Sequence, residues 1–335
     1  MQFFSNINIK SLEPPIAYPG NILLAGSCFT EHIGNHLADV KFNTLQNPNG
    51  ILFNPASVCR SLVSYTENKI YAEDDLFYFN ECWHSWQHHS RFSNPDKEIC
   101  LQQINDSQKQ AHQFLKDADW LIITLGSSFV YKLNEDIPAE LNKNIEDRFV
   151  ANCHKVPAQQ FIKQLLSIEQ IFALLDSAVH HLFHFNPKLK IIFTISPVRH
   201  LRDGVVENNR SKAKLIEATH QLVEKFEKLY YFPAYELVID VLRDYRFYDI
   251  DLVHPNYAAT NFVLEQFATH CISAQSQQLM DEIKKLVVSF AHKSFNPNSQ
   301  QHKNFLQQQY NKAKHLQEKY TFLDFEKEIN YFGDS

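Results

Sequence analysis

Three short apolar runs interrupt an otherwise polar chain. Ile22-Leu23-Leu24-Ala25 leads into Gly26, Trp120 through Leu125 leads into Gly126, and Lys190 through Ile195 ends at Ser196-Pro197. Each is continuous rather than alternating, the pattern of a parallel strand covered on both faces. A less regular fourth run opens at Tyr230-Tyr231-Phe232-Pro233 and continues through Val238-Ile239. Between these runs apolar residues recur at helical spacing, as in Phe29, Ile33, Leu37 and Val40. Pro157 sits where a first-turn proline is tolerated, and the spacing after it predicts a helix reaching Phe185; Ser211 to Phe226 predicts another. Strands separated by helices of this length predict an α/β protein with a doubly wound parallel sheet. In such sheets ligands bind beyond the carboxyl ends of the strands.

After Cys271 only helical patterns remain. Leu279, Ile283, Leu286, Val287 and Phe290 fit one helix, and Leu306, Tyr310, Ala313, Leu316 and Tyr320 fit another, with Asn296-Pro297-Asn298 between them. The expected division is therefore an α/β domain over residues 1–272 and a helical C-terminal extension over 273–335. The apolar stripes of the extension are expected to pack on the core, with an oligomer contact through these helices as the alternative.

Charge narrows the partners. Lys and Arg number 32 against 38 Asp and Glu, so a net charge of −6 is a poor match for nucleic acid or an anionic membrane. No apolar run approaches a membrane span, and the first residues lack the basic and apolar pattern of a secretory leader. Six scattered cysteines with no CxxC pair argue against a disulfide scaffold, so the expected compartment is the cytoplasm. No cofactor is expected. Only 7 glycines occur where about 23 would be average, which makes each one positionally informative.

The first strand delivers Gly26-Ser27-Cys28-Phe29-Thr30 directly into a helix. A nucleophile there stands among free helix N–H groups, which favour a thiolate and help hold an oxyanion. Taken alone, the same residues read more often as a tight turn and a helix cap than as a nucleophile. Far along the chain, Asp251-Leu252-Val253-His254-Pro255-Asn256 spaces a carboxylate and an imidazole three apart on a turn, with Asn256 placed to cap the next helix. A base oriented by a carboxylate is the logic of a catalytic triad.

Gly26-Ser27-Cys28-Phe29 resembles the opening motif of GSCFA-domain proteins, a branch of the SGNH (GDSL-like) hydrolase superfamily. Further stretches are similar to that family in the same order: Asn47-Pro48-Asn49-Gly50, Trp83-His84-Ser85-Trp86, Asn152-Cys153-His154-Lys155, Ser196-Pro197-Val198-Arg199-His200, Tyr245-Arg246-Phe247-Tyr248 and the Asp251–Asn256 segment. The resemblance covers about the first 270 residues and leaves the C-terminal helices outside it. It implies a three-layer α/β/α, flavodoxin-like fold. Thr30 stands where the family motif has alanine. Aligned on Gly26, the superfamily's Gly-x-Ser register puts Cys28 at the nucleophile position, with Ser27 attacking in the rival register. Gly50 and Gly126 correspond to oxyanion positions, and Ser128 stands where the superfamily has an asparagine, so its hydroxyl would be the donor.

Together these readings point to an acyl-ester hydrolase or acyltransferase acting on small acyl groups, with carbohydrate hydroxyls implied by the resemblance alone. A small-molecule or carbohydrate ester is then the partner. Trp83, His84, Trp86, His88 and His89 form a candidate substrate-lining loop, joined by Arg199 and His200 at the third strand's end. The same loop has ligand chemistry for zinc, but no HExxH or paired-Cys pattern supports a metal site. Two other classes stay open: a non-catalytic glycan- or protein-binding SGNH fold, and a metal-dependent phosphoesterase suggested by 17 histidines.

Overall fold

The computed structural model describes residues 5–143, 145, 147–291 and 294–333. Five strands make the central sheet: β1 (Asn21–Gly26), β2 (Asn43–Gln46), β5 (Trp120–Leu125), β9 (Lys190–Ile195) and β10 (Leu229–Tyr231). Their spatial order is β10-β9-β5-β1-β2, and every pair is parallel. Counted along the chain this is the 2-1-3-4-5 order of flavodoxin-like folds, which reverses direction at β1.

Alternation within each run decides which helices it meets. Leu24, Ile122 and Ile192 face a core built with α1 (Cys28–Asp39), α7 (Tyr257–Cys271) and α8 (Ala274–Ala291). Leu23, Leu121 and Ile191, one residue earlier, face the opposite core with α2 (Pro55–Glu67), α3 (Lys97–Asp117), α4 (Ile168–Phe185) and α5 (Val205–Lys225). The fold is thus α/β/α. Helices α9 (Gln300–Lys319) and α10 (Glu326–Gly333) add Leu306, Ala313, Leu316 and Phe332 to the α1 face, so the C-terminal helices share one continuous core with the sheet. Lys41, just after α1, bonds the buried Glu328 of α10 at 2.6 Å.

The three strong runs become β1, β5 and β9 as expected, but two expectations fail. Pro157 starts no long helix: a 3-10 turn over Ala158–Gln160 and strand β8 (Phe161–Leu165) follow it. The helix begins at Ile168, where Ser167 and Gln170 form a capping box. The fourth run ends as a strand at Tyr231; α6 (Ala234–Glu236) and a π-helical turn over Leu237–Leu242 carry Val238 and Ile239 instead. Strand β2 escapes sequence reading because it lies at the sheet edge and needs little apolar character.

Two small antiparallel sheets lie outside the central one. Strands β3 (Leu76–Phe79) and β4 (Cys82–Ser85) form a hairpin, and β6 (Phe129–Leu133) pairs with β7 (Phe149–Val150) and β8. Phe77, Trp86, Leu133, Leu141, Val150 and Val156 make a satellite core between them.

Candidate active site

The loops leaving the carboxyl ends of β1, β5 and β9 are stitched to one another. Ser27 N–H donates to the Thr124 carbonyl at 3.0 Å, Leu52 N–H to Gly26 at 3.1 Å, and Ser196 N–H to Leu125 at 2.8 Å. Asn47 extends the network, its Oδ1 accepting the Gly26 N–H at 2.9 Å. Gly26 has φ of 147°, and a Cβ there would lie 2.2 Å from the Thr124 carbonyl oxygen. Only glycine permits the two strands to approach this closely while the chain turns into α1.

That turn separates the roles of its two nucleophile candidates. Ser27 is the N-cap of α1: buried, with its hydroxyl oxygen accepting the Phe29 N–H at 3.3 Å. Cys28, the next residue, is only half-buried and its thiol is free. Burial pushes the Cys28 thiol upward, while the N–H groups of Phe29 and Cys28 and the Lys212 ammonium pull it down. Thr30 is fully buried beneath this turn.

Asp251 and His254 lie on a loop closed by the Tyr248–Pro255 bridge and by Asp249 N–H donating to the His254 carbonyl at 2.8 Å. His254 Nδ1 lies 2.6 Å from Asp251 Oδ2. Asp251 Oδ1 also accepts the N–H groups of Val253 and His254, at 2.9 and 3.0 Å. The His254 bond and these backbone donors hold the Asp251 carboxyl well below its ordinary value, at about 2. Asn256 caps α7 by accepting the Ala259 N–H. Arg199 N–H donates to the Val253 carbonyl at 3.1 Å, which docks the loop on the segment after β9.

His200 connects the two halves. Its Nε2 lies 3.2 Å from where a Gly126 Cβ would stand, and its ring is 5.0 Å from that of Phe53. Burial first, then the charges of Lys212 and His254, lower its pKa to about 4, so the ring is neutral at pH 7. His254 likewise acts on His32 of α1, whose pKa burial already lowers. The charge of His254 thus acts on one histidine after β9 and one on α1.

The expected oxyanion donors need correction. Gly50 N–H donates to the Asn47 carbonyl at 2.7 Å, and Gly126 N–H to the Phe53 carbonyl at 2.7 Å. Ser128 is fully buried, its hydroxyl donating to the Ser211 carbonyl at 3.0 Å. Each donor is already used inside the protein, because the second loop bonds within itself and the third bonds to the second loop and to Ser211 of α5. In the first turn of α1, the Phe29 N–H donates to the Ser27 hydroxyl oxygen at 3.3 Å and the Thr30 N–H to the Ser27 carbonyl at 2.9 Å.

The substrate-lining loop also changes character. His84, Trp86 and His88 are buried. Trp86 stacks on Phe77 at 3.9 Å and donates its indole N–H to Leu141, while both His84 ring nitrogens bond locally, to Ser93 and Phe79. Trp86 and His84 pack with Phe77 of the satellite core and His88 against Tyr71 and Phe92, so these buried rings present no open face to a ligand. Trp83 lies against Lys97 in a separate cluster. Only His89 borders the site, through its Cβ against Gly50. Arg199 has no acidic partner among the described residues; it stacks over Tyr248 at 4.2 Å and Tyr245 at 5.4 Å. Among the described residues no group of three or more His, Cys, Asp or Glu could hold one metal ion.

Lys212 of α5 belongs to the site and was not read from the sequence. It is the one lysine or arginine buried among the described residues, at 1% exposure, and its ammonium donates to the Ser196 carbonyl at 2.6 Å. A signal existed: Asn208, Lys212, Leu215, Thr219 and Leu222 step along the buried stripe of α5, which puts a lysine on an apolar face.

The sheet order and its covering helices define a doubly wound α/β protein, with a thiol at a helix N-terminus and a His–Asp pair on a late loop. The GSCFA family model matches residues 21–267, and the chain belongs to that family, an SGNH-like one. Residues 283–334 match the C-terminal domain of GSCFA domain proteins, so the terminal helices, which the sequence motifs left outside the resemblance, are part of it. No curated protein matches the chain. Two solved structures are similar in part. One is a Streptococcus pneumonia protein assigned provisionally as a platelet activating factor, at 13% identity and TM-score 0.36, covering 74% of this chain and 83% of its own. The other is a carbohydrate esterase family 3 protein from Talaromyces cellulolyticus, at 8% identity and TM-score 0.37, covering 78% and 99%. Among the described residues no helix is long and apolar enough to cross a membrane.

Proposed function

We propose that this protein is an acyl-ester hydrolase or acyltransferase in which Cys28 attacks, His254 moves the proton and Asp251 holds the imidazole. The observation that carries this reading is the 2.6 Å bond between His254 Nδ1 and Asp251 Oδ2. With Nδ1–H given to the carboxylate, Nε2 is the basic nitrogen, turned away from Asp251. Cys28 is preferred over Ser27 because the serine hydroxyl is buried as a helix cap, whereas the thiol keeps open surface at the first helical position.

His254 takes the Cys28 proton as sulfur bonds to the ester carbonyl carbon. Collapse of the tetrahedral oxyanion expels the alkoxide, which leaves with the proton from His254 and gives a thioester. Water, or an acceptor hydroxyl, then loses its proton to His254 and attacks the thioester. The acid or the transferred ester departs, and the proton returns to sulfur. The Cys28 N–H, at the first position of α1, is the donor assigned to the oxyanion. Small acyl groups on carbohydrate-like hydroxyls follow from the family resemblance.

Turnover of a chromogenic acetate ester by Cys28→Ala, Ser27→Ala and His254→Ala variants tests the reading. Loss of turnover in the Cys28 and His254 variants, with Ser27→Ala active, is expected. Full turnover in His254→Ala would overturn it. A second reading, a binding protein without turnover, draws on the internally bonded Gly50 and Gly126 N–H groups. It predicts no cleavage by the wild-type chain and no selective labelling of Cys28 by a thiol alkylator.

A further inference from the structure

Arg199, docked on the loop of the candidate base, is a cation without a counter-charge. Its side chain is half-buried, and no carboxylate or carbonyl accepts from the guanidinium among the described residues. The contacts it makes are aromatic. Its Cζ lies 4.2 Å from the Tyr248 ring centroid and 5.4 Å from that of Tyr245, and the two rings are 6.5 Å apart. Stacking of this kind fixes the plane of a guanidinium and covers its face, while the N–H edge stays available to an acceptor. Neighbouring arginines are already paired: Arg246 with Asp244 at 3.0 Å and Arg243 with Asp240 at 3.9 Å. Asp251 is held by His254.

Contacts on both sides tie Arg199 to His254. The Arg199 N–H donates to the Val253 carbonyl at 3.1 Å, one residue before the imidazole. Tyr248, against the guanidinium, bridges to Pro255, one residue after it. Asp249 N–H closes the same loop on the His254 carbonyl at 2.8 Å. Tyr248 is buried at 7% exposure and anchors the stack, whereas Tyr245 at 65% is open to solvent. The arginine is therefore built into the loop that carries the Asp251–His254 pair, with one aromatic wall fixed and the other exposed.

We propose that Arg199 binds an oxyanion of the substrate, a carboxylate or phosphate carried by the ester, through its N–H edge while Tyr248 and Tyr245 hold the guanidinium plane. This names the substrate class of the proposed ester site and rests on that reading for the chemistry that follows binding. Aromatic partners leave the charge of the arginine uncompensated, so an anion that meets it gains the full attraction in a partly desolvated place. The chain as a whole, at a net charge of −6, repels an anion, which makes a local cation necessary for such a substrate. Lysine in the same place would keep the charge and lose the planar fork that matches two oxygens at once.

The test titrates the full chain near neutral pH with inorganic phosphate and, separately, with acetate, while NMR follows the Nε–H signals of its arginines. Saturable movement of the Arg199 signal is expected, with the signals of acid-paired Arg243 and Arg246 unmoved. Tighter saturation by phosphate assigns a phosphate-bearing ester, and tighter saturation by acetate a carboxylate-bearing one. Equal movement of all of these signals, or of none, overturns the inference. In Arg199→Met the affinity for the bound anion, read through the His254 backbone amide, should weaken about tenfold, and Arg199→Lys should restore part of it. Unchanged affinity in a folded Arg199→Met variant also overturns the inference. Should that variant fail to fold, the wild-type comparison of Arg199 with Arg243 and Arg246 decides alone. Binding and turnover are read separately. Anion binding without cleavage of an acetate ester refutes only the hydrolase reading, and cleavage of a neutral ester without anion binding refutes only the role of Arg199.

Discussion

Gly26→Ala probes the turn on which the candidate site depends. The added Cβ would stand 2.2 Å from the Thr124 carbonyl oxygen and 2.8 and 2.9 Å from its nitrogen and carbon. All three atoms are backbone of the neighbouring strand, so no side chain can swing away. Restoring contact at 3.4 Å requires β1 and β5 to part by more than 1 Å at their closing pair, Gly26 and Thr124. The same movement breaks the Ser27 N–H bond to Thr124. A non-glycine residue at this positive φ costs about 1–3 kcal/mol, the lost bond about 1, and overpacking about 1–3. A destabilisation of about 4 kcal/mol follows. At about 2.1 cal/mol/K of unfolding entropy per residue, this lowers the melting temperature of a 335-residue chain by about 6 °C. Thermal unfolding followed by circular dichroism measures it. A melting temperature within about 1 °C of wild type would refute the close-approach argument, because no relaxed geometry removes a backbone clash at that cost.

Two further outcomes follow from the same geometry. Ser27→Ala should lose its cap and about 1 kcal/mol of stability, seen as a small drop in melting temperature, while labelling of Cys28 persists; loss of the reactive thiol would contradict its role as cap alone. Asp251 has a carboxyl lowered from 3.8 to about 2, so it favours the folded state above pH 4 and that contribution is lost as pH falls toward 2. Acid titration of wild type and Asp251→Asn should therefore give stability curves that converge below about pH 2 and run parallel above about pH 5. Curves that converge between pH 5 and 8 would rule this out.

Local patterns located much of the fold. The strands at Ile22, Trp120 and Lys190, the helix after Cys28 and the cap at Asn256 were legible because each is set by neighbours within a few residues. The Asp251–His254 contact was legible for the same reason, being a three-residue spacing on one turn. The run from Pro157 misled because an apolar spacing of that length suits a strand followed by a capped helix as well as one helix, and only the pairing of β8 with β6 decides between them.

The sequence by itself determined the α/β alternation, the strand-end turn at Gly26 and the paired acid and imidazole, because short-range sterics and hydrogen bonding govern each. Tertiary packing alone decided the fate of polar side chains whose partners lie far along the chain. It buried Trp86 in a satellite core and His88 against Tyr71 and Phe92, bonded Gly50 and Gly126 to the loop after β2, and brought Lys212 beneath the end of β9. Burial and long-range charge depend on what the folded chain places opposite a residue, and no spacing along the sequence encodes that.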